Sequence, residues 1–226
     1  DAVHALAKQY FGQVPARDVT PPRTPAAIDH HGERRLHMRM AAAEVPHLLL
    51  AYPVPSLASA EEKWQAYALE VLATVLDGGS GARLPERLVR GQELAAGVGA
   101  RYSGAARLNT LFMFSGRPAQ AHSPQELEAT LRAEIEDLQT KLVDESTLER
   151  AKNQLIADHL FQLDSTFYQA LQIGVLETIG IGWQELDGYE ERVRAVSAEQ
   201  LRSVARQFLR PERSAAGILE PAKGDD

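Results

Sequence analysis

An α+β domain, with an antiparallel or mixed sheet and helices packed mainly on one face of it, is the fold the sequence predicts. Two patterns predict it. Segments with strand-like alternation concentrate between Arg34 and Phe114, and segments with helical spacing follow from Ser123 onward, before a last strand-like stretch, "RSAAGILEP", returns near the C-terminus. Strands, then helices, then one returning strand are the signature of helices segregated to one side of a sheet. With 226 residues, 44% of them hydrophobic, the chain can bury a sizeable core.

The elements follow in order. "DAVHALAKQYFGQV" carries Val3, Leu6, Ala7, Tyr10 and Phe11 at helical spacing, with Gly12 as a stop. The next stretch holds Pro15, Pro21, Pro22 and Pro25, a density that favours extended, semi-rigid chain. Residues 1–14 are therefore expected to be the tail of a preceding domain, 15–33 a linker, 34–221 the complete domain and 222–226 a loose tail. The first residue is Asp1 rather than Met, which adds the expectation of a longer parent chain. "RRLHMRMA" alternates Leu36, Met38 and Met40 with Arg35, His37 and Arg39, so a half-buried strand is expected. "HLLLAYPVP" is apolar on both faces, which predicts a central strand covered on both sides and ended by Pro53 and Pro55.

From Ser59 to Leu76 the spacing is helical, with Trp64, Tyr67, Ala68, Val71, Leu72 and Val75 on one face. "DGGSG" breaks it, and Ser80 is the expected cap of a second short helix through Val89. Leu94, Ala96, Val98, Ala100 and Tyr102 are assigned to one face of the next strand, and Leu108, Phe112 and Phe114 to one face of its successor. "SPQE" places a capping box at Ser123, followed by Leu127, Leu131, Ile135, Leu138 and Leu142. Further helices are expected to start at Asp144 and at Asp164 or Ser165, over about Glu185–Ala195, and at Ser197.

The formal net charge is −7, which opposes binding to a nucleic-acid backbone. No apolar run reaches membrane-spanning length. There is no cysteine, hence no disulfide and no thiolate ligand. His30 and His31 are adjacent in the Pro-rich stretch and diverge; His37 and His47 sit on separate strands without a carboxylate nearby in sequence; His122 precedes a helix. His159 lies beside the apolar positions Leu148 and Leu155, where a half-buried core histidine is expected. Zinc needs converging ligands, two of them usually on one helical face, and neither H-x-x-E-H nor H-E-x-x-H is present. Neither a nucleophile elbow nor a phosphate loop is present; "GGSGAR" lacks the Gly-Lys-Ser/Thr ending. No catalytic and no metal-binding residue is assigned to this chain.

From Glu33 to Pro221 the sequence resembles the C-terminal, non-zinc domain of the pitrilysin and mitochondrial processing peptidase-like zinc metallopeptidases. The stretches that carry the resemblance are "LDGGSGARLPERLVRGQELAAGVGARYSG", "LERAKNQLIADHLFQLDST", "QALQIGVLETIGIGW" and "ERVRAVSAEQLRSVARQFLRPERSAAGILEP", in that order. "ALAKQYFGQVPA" resembles the end of the preceding domain of that family. The resemblance implies a parent whose N-terminal domain carries H-x-x-E-H and zinc, with this domain facing it across a peptide chamber. In the family the non-zinc domain holds the peptide main chain by an Arg and a Tyr at the helix-to-strand join, here within "VRGQELAAGVGARYSG".

This sequence departs from that pattern. Ala96 stands where the Tyr is expected, and Arg90 lies six residues before it, one short of the family's spacing. Arg90 is the one candidate for substrate contact, against its simpler role as a solvated cation at a helix end. Tyr102 is expected to be a packing residue. The resemblance then implies that a zinc-bearing subunit of this kind works with a homologous partner chain that keeps the Arg and Tyr. Other readings remain open: a structural subunit like the core proteins of a respiratory complex, and a peptide-binding module without hydrolysis. The family is compatible with a periplasmic or other extracytoplasmic compartment, and the residues themselves select none.

Overall fold

The computed structural model describes residues 2–15, 17–18 and 32–222. Most of the expected Pro-rich linker, with His30 and His31, and nearly all of the C-terminal tail lie outside these residues. The chain divides into two compact units, Asp1–His30 and His31–Asp226. In the first, helix α1 (Ala2–Phe11) carries exposed Val3, Leu6, Tyr10 and Phe11.

The second unit is built on a five-stranded mixed sheet in the order β1-β5-β2-β4-β3. The strands are β1 (Arg34–Met40), β2 (His47–Val54), β3 (Ala95–Arg101), β4 (Thr110–Pro118) and β5 (Ala215–Pro221). Only the β1–β5 pair is parallel. The sheet has an inner face of Leu48, Leu50, Tyr52, Phe112, Phe114, Ala216 and Ile218, all buried. The aromatic rings pack with Tyr52 edge-on to Phe114 at 6.1 Å and Phe112 tilted against Phe114 at 5.2 Å. Gly116 shares this face, and a Cβ there would lie 2.7 Å from Leu127 Cδ2. Absence of a side chain at Gly116 is therefore what lets the helix bearing Leu127 seat on the sheet.

The helices cover that inner face. α2 (Trp64–Asp77) buries Tyr67, Ala68, Val71, Leu72 and Val75, as the spacing predicts. α3 (Pro124–Thr140) starts from the predicted Ser123–Glu126 capping box, and α7 (Ala198–Phe208) from Ser197 and Gln200 in the same arrangement. Between them run α4 (Glu145–Leu163), capped by Asp144, α5 (Thr166–Ile179), capped by Ser165, and α6 (Tyr189–Arg194). α2, α3 and α7 pack on the strands, while α4 and α6 lie against α2 and α5 lies against α4.

Several expectations need correction. The helix foreseen over Glu185–Ala195 is a 3₁₀ turn at Trp183–Leu186 followed by the short α6, because Gly188 interrupts it. Leu142 falls beyond the end of α3 and is exposed, and Leu108 precedes β4 and is exposed. β2 is central but is not covered on both sides: Leu49 is 46% exposed, and the strand runs through Pro53 to Val54. β1 is not half-buried. It is a sheet edge, and Leu36, Met38 and Met40 are all exposed on the face without helices. Backbone pairing with β5 joins this strand to the sheet, and an ion pair ties it to the helix layer. Arg35 forks onto the Glu128 carboxylate of α3 with hydrogen bonds of 2.8 and 2.7 Å. The hydrogen bonds from Arg35 pull the Glu128 carboxyl below the usual glutamate range.

The two faces of the sheet predict opposite responses to truncation. Phe114→Ala should cost about 3–5 kcal/mol, because it opens a cavity in the inner face. Leu36→Ala should change stability by less than about 0.5 kcal/mol, since the side chain is already in water. Urea unfolding of both variants measures the contrast.

Candidate functional site

The join between the second helical segment and β3 is built in three steps. After α2 the chain turns through Gly78 and Gly79, and helix resumes well past Ser80, which forms no side-chain cap there. The last turn, Pro85–Gly91, is π-helical, and the Gln92 N–H reaches the Arg87 carbonyl at 2.8 Å. Arg83 fixes the start of this turn: its Nε lies 2.5 Å from Glu134 on α3, and its other arm binds Asp137. Arg87 adds a second guanidinium to Glu134 at 3.0 Å. Exit from the turn requires a left-handed residue, and Glu93 takes it, with φ of 52°. The Leu94 N–H then returns to the Leu88 carbonyl at 2.9 Å.

β3 opens with a bulge. Ala95 pairs with Pro118 and Gly97 with Arg117, so Ala96 is the extra residue. The alternation therefore slips across Ala96, and the assignment of Ala96 to one face with Val98 and Ala100 is overturned. Ala95 is buried and pairs in line with Val98 and Ala100 toward the core, whereas Ala96 is exposed. Arg90 is also exposed at the end of the π-helical turn, and no described residue forms an ion pair with it. Tyr102 is buried; its hydroxyl donates to the Pro55 carbonyl at 2.8 Å, and its ring stacks on Phe112.

Sequence reasoning missed two cations that the sheet brings to the outer face beside β3. Arg117 pairs with Gly97, and its guanidinium sits 3.5 Å from where a Cβ of Gly97 would be. Arg101, at the far end of β3, is exposed and belongs to the same outer face as Gly97 and Gly99. No sequence pattern links Arg117 to Gly97; only the strand register does. A third polar group lies along β3. The carboxylate of Asp77, at the end of α2, accepts the Ala100 N–H at 3.2 Å, and burial pushes its carboxyl up from the usual range. Arg90, Arg101 and Arg117 can offer N–H donors and positive charge to carbonyls or carboxylates of an extended chain.

The histidines are dispersed. His37 does have a carboxylate partner, Glu220 on β5 at 2.7 Å, supplied by the parallel pairing rather than by sequence proximity. His122 faces Glu126 at 3.7 Å, and His159 is half-buried against the Tyr189 ring. Among the described residues no group of three or more His, Cys, Asp or Glu side chains is placed to hold a metal, so the residues present do not fit a zinc ion. Among the same residues no helix is long and apolar enough to cross a membrane.

The profile of a family described as the peptidase M16 inactive domain matches residues 1–155. A protein of Streptomyces coelicolor described as an uncharacterized zinc protease is 28% identical over 180 residues, covering 78% of this chain and 38% of that protein. A protease from Helicobacter pylori has a similar structure, with a TM-score of 0.86 at 21% identity, over 97% of this chain and 52% of the other. A chain of complex III from Candida albicans also shares the fold, with a TM-score of 0.73 at 14% identity, over 91% of this chain and 49% of that one. The chain thus spans about half the length of the Helicobacter protease, and less of the Streptomyces protein.

Neighbouring substitutions distinguish the two sides of the bulge. Ala96→Tyr should be tolerated within about 0.5 kcal/mol, because the new ring enters solvent. Ala95→Tyr should cost about 1–3 kcal/mol or more by overpacking the core. Thermal melts of the pair decide it; equal destabilisation would place Ala96 in the core after all.

Proposed function

The chain belongs to the peptidase M16 inactive-domain family, and from that premise we propose that it forms the substrate-holding wall of a peptidase chamber whose zinc is carried by another domain of the parent protein. Supporting this reading is a domain in which no described side chains converge on a metal, with an exposed cation, Arg90, at the end of the helical turn that leads into β3. Hydrolysis needs a peptide held still as much as it needs an activated water. In this proposal the chain supplies the first. Arg90 donates to a carbonyl of the extended substrate, and the bulge at Ala96 turns the strand start outward. Ala96 has no hydroxyl to give, so the grip from this domain is half of the usual pair. Under the proposal a homologous partner chain with an intact Arg and Tyr completes it, and residues 1–14 and 15–33 are the end of the preceding domain and its linker.

A second reading is a structural subunit without hydrolysis. The observation that favours it is the likeness of fold to a chain of complex III, a respiratory assembly. The two readings differ in one measurable respect. The peptidase reading expects the full-length parent, assayed together with the homologous protein encoded beside it, to cleave an unstructured peptide in a chelator-sensitive way. The parent alone should be slower. Arg90→Ala in that pair should raise KM several-fold with little change in kcat, the signature of lost ground-state binding. If the parent alone matches the pair, the partner is unnecessary. If neither preparation cleaves any peptide, the structural reading replaces this one.

A further inference from the structure

Between α2, α4, α5, α6 and the segment that follows β3 lies an open pocket of about 510 Å³ that the strand-side reading leaves unused. Its walls are Leu57, Leu155, Leu171, Val175 and Leu176, together with the faces of Tyr67, Tyr168 and Tyr189. Glu70 stands on the α2 side and Asp158 and His159 on the α4 side. We propose that this pocket is a binding site for an organic ammonium group, with the Glu70 carboxylate as the counter-ion and the tyrosine rings as its sides.

Four observations carry the proposal. First, the charge of the lining is one-sided: its ionisable members are the carboxyl groups of Glu70, Asp158 and Glu185, the phenols, and His159, with no lysine or arginine. Second, the nearby cations are committed elsewhere. Lys63 binds Glu185 at 2.5 Å, and Arg192 donates to the Tyr67 hydroxyl at 2.8 Å and to the Glu185 carbonyl. Glu70 is left with the Tyr189 hydroxyl as its hydrogen-bond donor. Third, one polar group of the wall lacks a donor: Gln172 carries a buried Oε1 without any hydrogen-bond partner. Fourth, aromatic faces already take a cation here: the Arg192 guanidinium lies 5.2 Å from the centre of the Tyr67 ring. Apolar walls of this size fit the methylene chain that leads to an ammonium head.

The protonation states fit the same ligand. Burial pushes the Glu70 carboxyl up to about 7, as expected of a carboxyl that has lost water and gained no cation. Burial lowers His159, which keeps it neutral at that pH, and it raises Tyr67, Tyr102 and Tyr189 out of the physiological range. Against burial, the hydrogen bonds from Lys63 and Tyr67 hold Glu185 ionised. Glu70 is then the group whose ionisation changes near neutrality. A bound cation favours its charged form, so affinity should be weak below its pKa and rise as the pH passes through it.

Calorimetric titration of the 226-residue chain tests this with three probes: 1,5-diaminopentane, N-acetyl-lysine methylamide, and N-acetyl-norleucine methylamide, which lacks the ammonium. Saturable binding of either amine at pH 8, weakened about tenfold at pH 5.5 and about tenfold for the norleucine probe, is the expected result. Tighter binding of the diamine points to a free amine as the natural ligand; tighter binding of the lysine derivative points to a lysine side chain of a peptide. Glu70→Gln should abolish binding while leaving the melting temperature unchanged or higher, since it removes a desolvated charge. If that variant does not fold, the unaltered chain decides by pH: equal affinity for the amines at pH 8 and pH 5.5 overturns the proposal. No saturable binding of either amine at about 10 mM, or unaltered binding in the folded variant, overturns the proposal.

Discussion

Glu134 decides where the segment leading into β3 sits. Its carboxylate, on α3, is only 11% exposed and receives both Arg83 and Arg87 from the turn that precedes β3. α3 in turn is seated on the sheet through Leu127, Leu131 and Ile135, and at Gly116 the sheet has given up a side chain to admit it. The position of the π-helical turn is therefore set relative to the strands by charge-assisted hydrogen bonds over a rigid helix. An enclosed carboxylate cannot be left with one partner cheaply, because desolvation without compensation costs more than the pair contributes. That asymmetry makes the turn a fixed platform rather than a loop. Everything that follows it, Glu93 in its left-handed conformation and the bulge at Ala96, inherits that position.

The legibility of the fold in the sequence tracks how local the cause of each element is. Capping boxes at Ser123 and Ser197, and the side-chain caps at Asp144 and Ser165, are contained within four residues, and the structure has all of them. The buried stripe of α2 likewise depends on its own spacing. β1 was misjudged because alternation reports a two-faced strand without saying whether either face is covered. Here backbone pairing with β5 and an ion pair from Arg35 to α3 hold the strand, and its apolar residues stay in water. β2 shows the same limit, since an apolar run on both faces left Leu49 exposed.

The candidate site was legible as a segment and illegible in its register. The stretch from Arg90 to Tyr102 is a helix end, a turn and a strand, and Tyr102 packs in the core. A bulge adds one residue without altering composition, so period-two counting continued through Ala96 and placed it on the wrong face. Arg117 became relevant only through its pairing with Gly97, a relation between strands that no single-strand pattern contains. The pocket beside Glu70 is a stronger case, because its groups come from several helices and the segments between them and no linear spacing joins them.

β3 is an edge strand, and an edge with free amides invites unwanted pairing. Its sequence, AAGVGAR, has almost no side-chain bulk to obstruct a neighbour. Protection comes from its two ends. The bulge at Ala96 twists one end away from regular pairing, and Asp77 takes the Ala100 N–H at the other. Gly99 makes the second device feasible: a Cβ there would lie 2.8 Å from the Asp77 carboxylate oxygen. Glycine thus leaves room for the carboxylate where the helix end meets the strand edge, and burial there raises the Asp77 pKa. Because burial raises the Asp77 pKa in the folded state, protonation at acidic pH relieves the desolvation of this carboxyl even as it weakens the acceptor facing the Ala100 amide. The edge of the sheet at β3 is thus shaped by a polar contact and a bulge, whereas the inner face is held by apolar packing.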